Sequence, residues 1–287
     1  MSRGKRIKIR IHHAIIVLVI ALFSFVELPR LAPSGGVEFY AFDVGQGDAL
    51  LFRFPDGSNM LVDAGPRKSA KSLVGKLRRA GVSRIDLLVA THPHEDHIGG
   101  MESVMRTFPV GKIWDSGYNH GSGIQRDALA TVRELGIRFG RPRAGFEEEH
   151  GGATITVIAP VNPISGTESD ANNNSIVLLV KFGDVSFLLT GDIEEAGRRE
   201  AGSFPPATIL KVSHHGSSNG TDRALLEWTR PEAAVLSYGK GNSYGHPHAG
   251  VIRLLDEYKV KRYATADGDI TITTDGKTYK VRQEMKR

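Results

Sequence analysis

The segment THPHEDHIGG (residues 91–100) places His92, His94, Asp96 and His97 within six consecutive positions, directly after the apolar run Ile85–Ala90. In extended backbone, side chains two residues apart point the same way, so His92 and His94 can grip one ion together. Asp96 and His97 lie where the chain turns into a helix start, and there neighbouring side chains diverge. They offer donors to a second ion close by. Imidazole and carboxylate are the ligands that zinc and related divalent ions take. Gly99 and Gly100 let backbone pack tightly behind them. The chemistry such a centre supports is hydrolysis by ion-activated water.

The chain has 11 histidines and no cysteine in 287 residues. Seven of the histidines fall in three clusters: His92/His94/His97, His214/His215 and His246/His248. His12, His13, His120 and His150 read as leader or surface residues. Without cysteine there is no disulfide, no thiolate nucleophile and no Cys-ligated zinc, so any ion rests on His and carboxylates. Near the start of the domain, FDVGQGD (residues 42–48) is a tight turn at a strand end, whose glycines permit positive φ and a close backbone approach to the metal loop. Asp43 in that turn is a candidate for the layer behind the ligands. Asp63 in VDAG is a candidate acceptor for the hydrogen of a ligand histidine.

The elements that must position these loops alternate along the chain. Strands are expected at Val37–Val44, Ala49–Phe54, Met60–Val62 and Ile85–Ala90, with a helix over Ser69–Ala80 stopped by Gly81. A second cycle has a strand near Lys112–Trp114, a helix over Arg126–Leu135 and a strand from Ile137. Arg141–His150 reads as a surface loop, followed by a strand at Ala153–Ile158. Ile176–Phe182 and Val185–Leu189 form a hairpin across Gly183-Asp184. Further helices are expected at Ile193–Ala201, Arg223–Thr229 and Ala249–Tyr258. Strands at Thr208–Val212, Ala233–Ser237, Arg262–Thr265 and Ile270–Thr274 lie between and after them. Mixed hairpins and crossovers of this kind make an α/β protein with sheets covered by helices, its unusual residues in loops at strand ends.

The formal net charge is +5. Residues 1–30 hold six basic residues against Glu27 alone, which accounts for the whole excess. The body is therefore formally neutral, and net charge gives no support to nucleic-acid binding. Five basic residues within the first ten precede the apolar run Ala14–Val26, so residues 1–32 read as a signal peptide or an uncleaved signal anchor with a short linker. In either case the body, residues 33–287, is expected outside: secreted, or anchored to the outer face of the cytoplasmic membrane.

H-x-H-x-D-H is the signature of the metallo-β-lactamase superfamily. Six further segments resemble the extracellular hydrolase domain of the ComEC competence-protein family, which takes part in DNA uptake. They are FDVGQGDALL (42–51), LVDAG (61–65), NNNSIVLLVKFG (172–183), LLTGDIE (188–194), LKVSHHGS (210–217) and NSYGHPH (242–248). With THPHEDHIGG they run from residue 42 to residue 248, and the resemblance covers about residues 37–275. The family's membrane-channel and oligonucleotide-binding parts have no counterpart, so the chain resembles a stand-alone relative.

The resemblance implies an αββα sandwich of two mixed sheets holding two divalent ions. Its metal ligands would be His92, His94, Asp96, His97, the bridging Asp192 and a last histidine, His246, with His248 as the alternative. Asp96 and His215 are the expected catalytic residues, His215 acting without binding metal. Many members carry another His ligand before the TGD segment. Here Asp170–Ser175 has none, which makes one shell richer in oxygen. Manganese or magnesium is then favoured over zinc. Asn174 or Asp170 would fill the gap. The implied reaction is hydrolysis of a phosphodiester in DNA, single-stranded by preference, with Lys211, Ser217, Tyr244 and His248 as candidate substrate contacts. The alternative is hydrolysis of a small-molecule lactone, β-lactam or ester.

Overall fold

The structure, a computed structural model, describes residues 35–284. The expected leader lies outside the described residues. The first half of the chain supplies strands β1 (Val37–Ala41), β2 (Leu50–Arg53), β3 (Asn59–Val62), β4 (Ile85–Ala90), β5 (Val110–Asp115) and β6 (Arg138–Gly140). The middle supplies β7 (Glu147–His150), β8 (Ala153–Ala159), β9 (Val177–Phe182), β10 (Val185–Leu189), β11 (Ile209–Lys211), β12 (Ala233–Leu236) and β13 (Lys261–Ala264). The chain then returns through β14 (Ile270–Thr274) and β15 (Tyr279–Gln283). One sheet runs β15-β14-β1-β2-β3-β4-β5-β6 and the other β13-β12-β11-β10-β9-β8-β7. Helices α1 (Ala70–Arg79), α2 (Glu95–Ile98), α3 (Met101–Thr107), α4 (Gly123–Glu134), α5 (Asp170–Asn173), α6 (Glu195–Ala201), α7 (Arg223–Thr229) and α8 (Ala249–Glu257) connect them.

Alternation decides which residues meet. β1 and β8 bury every second side chain, and the inner faces of the two sheets share one core. There Phe187 of the second sheet packs on Phe39 at 5.2 Å and on Phe52 at 5.3 Å between ring centroids. Burying an aromatic or branched side chain of this kind stabilises by about 1.5–3 kcal/mol each. The outer face of the first sheet is covered by Leu73 and Leu77 of α1, Met101 and Val104 of α3, and Ala128 and Val132 of α4. The second is covered by Leu225 and Leu226 of α7 and Val251 and Leu255 of α8. The result is the αββα sandwich.

Strands β3 to β6 are parallel to one another, as are β10 to β13. Parallel strands point their carboxyl ends the same way, and loops there form a crevice. Asp63 follows β3, His92–His97 follow β4, Asp192 follows β10, His214-His215 follow β11 and Ser237 follows β12. The sandwich thus brings these motifs, distant in sequence, to one rim.

Two elements differ from the sequence reading. Glu147–His150, expected as loop, is a strand paired antiparallel with β8. Its three glutamates hide the usual strand pattern, but charge suits an edge strand that must not pair further. Lys112 ion-pairs with Glu148 there, and Ser58 lies 3.2 Å from His150. β15 was not anticipated either, because its outward residues are charged and its inward ones only half-buried. Among the described residues no helix is long and apolar enough to cross a membrane.

Candidate metal centre

The metal loop is clamped from both sides by backbone. Ala64 N–H donates to the His97 carbonyl at 2.7 Å, and Asp48 N–H donates to the Asp96 carbonyl at 3.2 Å. Gly47 sits at φ +130°, and a Cβ there would lie 2.1 Å from the Asp96 carbonyl oxygen. Only glycine allows that approach. The Ser237 hydroxyl donates to the Gly47 carbonyl at 2.8 Å and ties the turn to the second sheet. On the other side of the crevice, His214 and His215 both adopt left-handed backbone, φ 49° and 55°. Each such residue costs about 1–2 kcal/mol. The turn is held by His214 N–H to the Gly191 carbonyl at 3.2 Å and by the Ser213 hydroxyl to the Ile193 carbonyl at 2.6 Å. The conformation sends the two rings to different tasks.

His215 points inward. Its Nε2 lies 3.2 Å from Asp96 Oδ2, 3.3 Å from Asp192 Oδ2 and 3.3 Å from His97 Nε2. His97 Nε2 is 3.2 Å from Asp192 Oδ2. A tetrahedral ion with bonds near 2.05 Å sets its donors about 3.3 Å apart. Three donors, His97, Asp192 and His215, meet that spacing with one another, and Asp96 meets it with His215. The far side of each ring fixes its tautomer: His97 Nδ1 donates to Asp63 Oδ2 at 2.7 Å and His215 Nδ1 to the Ser237 carbonyl at 2.7 Å. With both rings neutral, as ligands must be, the two Nε2 lone pairs face each other, an arrangement that repels unless positive charge lies between. The residues present fit a divalent ion.

A second set adjoins it. His92 Nε2 is 3.1 Å from His94 Nδ1 and 3.9 Å from Asp192 Oδ2. His92 Nδ1 faces Thr91 Oγ1 at 3.1 Å; that hydroxyl already donates to Asp63 Oδ2 at 2.7 Å, so it accepts here and leaves His92 Nε2 as a lone pair. Asp192 Oδ1 is buried without a hydrogen-bond partner. Lys211 Nζ stands 3.8 Å away, and a buried carboxylate oxygen without a hydrogen bond is costly and marks a place for a closer cation.

The electrostatics divide the histidines. Burial, then His97, pushes His92 well below its ordinary value, and the same causes lower His94. Both are neutral, as ligands must be. Burial opposes charge on His97 and His215, but Asp192 and its fellow carboxylates raise both well above the usual range. Burial likewise opposes ionisation of Asp96 and Asp192, yet these imidazoles hold both carboxyls low. The same attraction is available to a bound cation.

Behind the ligands lies a layer the sequence reading only partly contained. Asp63 accepts from Thr91 N–H at 2.9 Å, from the Thr91 hydroxyl and from His97. Asp48 belongs to one cluster with His97, Asp192 and His215 whose ligand atoms lie within 4.8 Å of one another. It approaches the Nδ1 sides of the rings, 3.5 Å from His215 and 3.9 Å from His97, and so stands behind them. Its Oδ2 is 2.5 Å from Lys211 Nζ. Asp48 had been read only as part of the turn; its carboxylate at the end of FDVGQGD was the signal.

Several expected positions fall elsewhere. His215, assigned a role apart from metal, belongs to the close donor set, and His246, the expected ligand, does not. The His246 ring is 6.3 Å from that of His215 and 5.6 Å from that of His214. Lys211, expected on a phosphate, is 1% exposed and committed to Asp48. Ser217 is buried, and His248 Nδ1 accepts from Ser218 N–H at 3.0 Å; neither lines the cavity. Asn174 closes a neighbouring loop, donating to the Ile164 and Asp170 carbonyls at 2.8 and 2.7 Å. Asp170 accepts from the Thr167 hydroxyl at 2.7 Å. Asp43 anchors its turn: its carbonyl accepts from Lys76 Nζ at 2.9 Å and its N–H donates to Asp269 Oδ1 at 2.7 Å. His120 is exposed, as expected, and stands edge-on to His94 at 5.3 Å on the cavity wall.

The donors open into a cavity of about 960 Å³. Its wall includes Lys68, Lys240 and Tyr244, all exposed, and the rings of His214 and His246. Both histidines of the 214–215 pair line this space, and His214 is the more exposed of the two. Its Nδ1 lies 3.2 Å from Glu194 Oε1 and its Nε2 3.8 Å from Asp192 Oδ2. Burial opposes its charge, but Glu194 and Asp192 raise its pKa. His246 goes the other way, lowered to about 4 by burial and by His214, His215 and His248.

This two-sheet sandwich, with its donors at the carboxyl ends of parallel strands, agrees with the comparison to known families. Residues 42–240 match the Metallo-beta-lactamase superfamily, and the chain belongs to it. It is similar to ComE operon protein 3 of Bacillus subtilis, 28% identical across 84% of this chain and 33% of that protein. Similarity to Recombination protein 2 of Haemophilus influenzae is 30% across 90% of this chain and 31% of that protein. The chain thus spans about a third of the length of these relatives. CmlA, a diiron beta-hydroxylase from Streptomyces venezuelae, shares the fold with a TM-score of 0.55 at 16% identity, over 85% of this chain and 54% of that one.

Proposed function

We propose that this protein is a metal-dependent phosphodiesterase that cleaves single-stranded DNA outside the cytoplasmic membrane, with two divalent ions held by His92, His94, Asp96, His97, Asp192 and His215. The observation that carries the reading is the cavity wall: two free-standing lysines, a protonatable histidine and an exposed tyrosine around a cation site. A lactam or lactone pocket calls for apolar walls, whereas a polyanion calls for this lining. The bound ions would neutralise phosphate charge and lower the pKa of the attacking water.

The residues of the chain do the rest. Glu194 orients His214 and favours its protonated form, so Nε2–H can donate to the leaving oxygen as the phosphorus–oxygen bond breaks. His246 stays neutral beside it; groups whose pKa values are pushed apart divide the acid and base roles. Lys68 and Lys240 contact phosphates on either side of the scissile one. Tyr244, 64% exposed and stacked on His246 at 5.5 Å, offers a platform for a base. A relative named Recombination protein 2 and the resemblance to the ComEC family support a DNA substrate. The basic and apolar start of the chain supports a location outside the membrane.

The test gives bis-p-nitrophenyl phosphate and nitrocefin to one metal-loaded sample. Turnover of the phosphodiester is expected; turnover of the ring substrate alone would refute the proposal.

A further inference from the structure

Asn172 is 3% exposed and lines the cavity. Its Nδ2 donates to Glu194 Oε1 at 2.9 Å. A carboxylate only accepts, so this bond fixes which end of the amide is which. The other end, Oδ1, is buried with no hydrogen-bond partner. Leaving such an acceptor unmet costs about 1–3 kcal/mol. Asn173 and Asn174, its neighbours, direct their own amides to protein groups: Asn173 Nδ2 to the Ser169 carbonyl and Asn174 Nδ2 to that of Asp170. Asn172 alone of the three presents an unmet carbonyl at the cavity. The His92/His94 donor set is also the incomplete one, with two imidazoles and Asp192 at 3.9 Å, against three donors, Asp96, His97 and Asp192, within 3.3 Å of His215 Nε2.

We infer that Asn172 Oδ1 is a ligand of the ion held by His92 and His94. The two sites then differ in kind. One has two imidazoles and two carboxylates; the other has a neutral carbonyl oxygen in its shell, a donor that suits manganese and magnesium better than zinc. Glu194 serves both sides of the centre, holding the Asn172 amide and the His214 ring with one oxygen. This inference rests on the two-ion reading of the centre and is independent of the DNA substrate.

The test is uptake of Mn²⁺ by the metal-stripped full chain, counted from the signal of free Mn²⁺ by electron paramagnetic resonance, for the wild type, Asn172→Ala and Asn172→Asp. Circular dichroism of each variant checks that it folds. The wild type should bind two ions. Partners one layer beyond a metal already change affinity by about 10–100-fold, so Asn172→Ala should weaken one ion at least tenfold and leave the other unchanged. Asn172→Asp, which keeps an oxygen for the ion but sets a carboxylate against Glu194, should recover part of the lost affinity. Two ions bound with wild-type affinity by folded Asn172→Ala would overturn the inference. One ion in the wild type would overturn the two-ion reading beneath it.

Discussion

Replacing Lys211 by methionine tests the layer beneath the metal centre. Its ammonium lies 2.5 Å from Asp48 Oδ2 and 3.8 Å from Asp192 Oδ1, with both members of the Lys211–Asp48 pair 1% exposed. Methionine keeps the volume and removes the charge, which leaves Asp48 buried against little but the His215 ring edge at 3.5 Å. Breaking a buried pair from one side costs about 3–5 kcal/mol. Each kcal/mol is worth about 2–4 °C of Tm in a domain of this size, so metal-free Lys211→Met should melt about 6–20 °C below the wild type. The pH dependence has a definite sign. Burial opposes ionisation of Asp48, and Lys211 with His215 depresses its pKa in the wild type. That stabilisation is present above the unfolded carboxyl pKa and is lost as pH falls through the folded one. In the variant, burial is opposed only by His215 and His97 and the Asp48 pKa rises, so the gap in Tm should narrow from pH 8 to pH 5. The double variant Asp48→Asn/Lys211→Met should recover much of the loss. Differential scanning calorimetry with and without Mn²⁺ measures all three. A metal-free Lys211→Met that melts within about 2 °C of the wild type would refute the reasoning.

Other outcomes follow from the same geometry. The raised pKa of His214 means that its acid form persists below that value, so turnover should fall as pH rises through a limb above 6.5. His214→Gln should abolish this limb and lower kcat by about 10²–10⁴ with metal content unchanged. The pair Lys68→Gln/Lys240→Gln should raise KM for an oligonucleotide and leave bis-p-nitrophenyl phosphate turnover intact. It should also reduce the salt slope of binding by roughly 1.4, about 0.7 for each phosphate contact. Gly47→Ala should lose metal uptake, because its Cβ would overlap the Asp96 carbonyl at 2.1 Å.

The fold was largely legible in the sequence, because the signals that set it are local. Ile85–Ala90 is apolar but for Asp86 and becomes a buried central strand, and Gly183-Asp184 closes the hairpin between β9 and β10. Two of the four edge strands were the exception: Glu147–His150 and Tyr279–Gln283 bury too little for alternation to show. The candidate site divides the same way. His92, His94, Asp96 and His97 lie within six positions of one loop, so spacing alone makes them a donor group. Which of His214 and His215 turns inward depends on two left-handed residues and a carbonyl from Ser237. No local pattern carries that. Lys211 reads as a solvated strand residue until Asp48, from the other sheet's loop, is brought beside it. Asn172 sits in a run of three asparagines whose different partners only the folded loop assigns.

The central claim is that these donors make a metal-dependent phosphodiesterase, and cleavage of end-labelled single-stranded DNA tests it most directly. Metal-stripped protein is reloaded with zinc, manganese or magnesium, with Asp192→Ala and His94→Ala alongside. Cleavage restored by a divalent ion in the wild type and lost in both variants is the result expected. Two bound ions by elemental analysis with no cleavage under any metal would contradict the account.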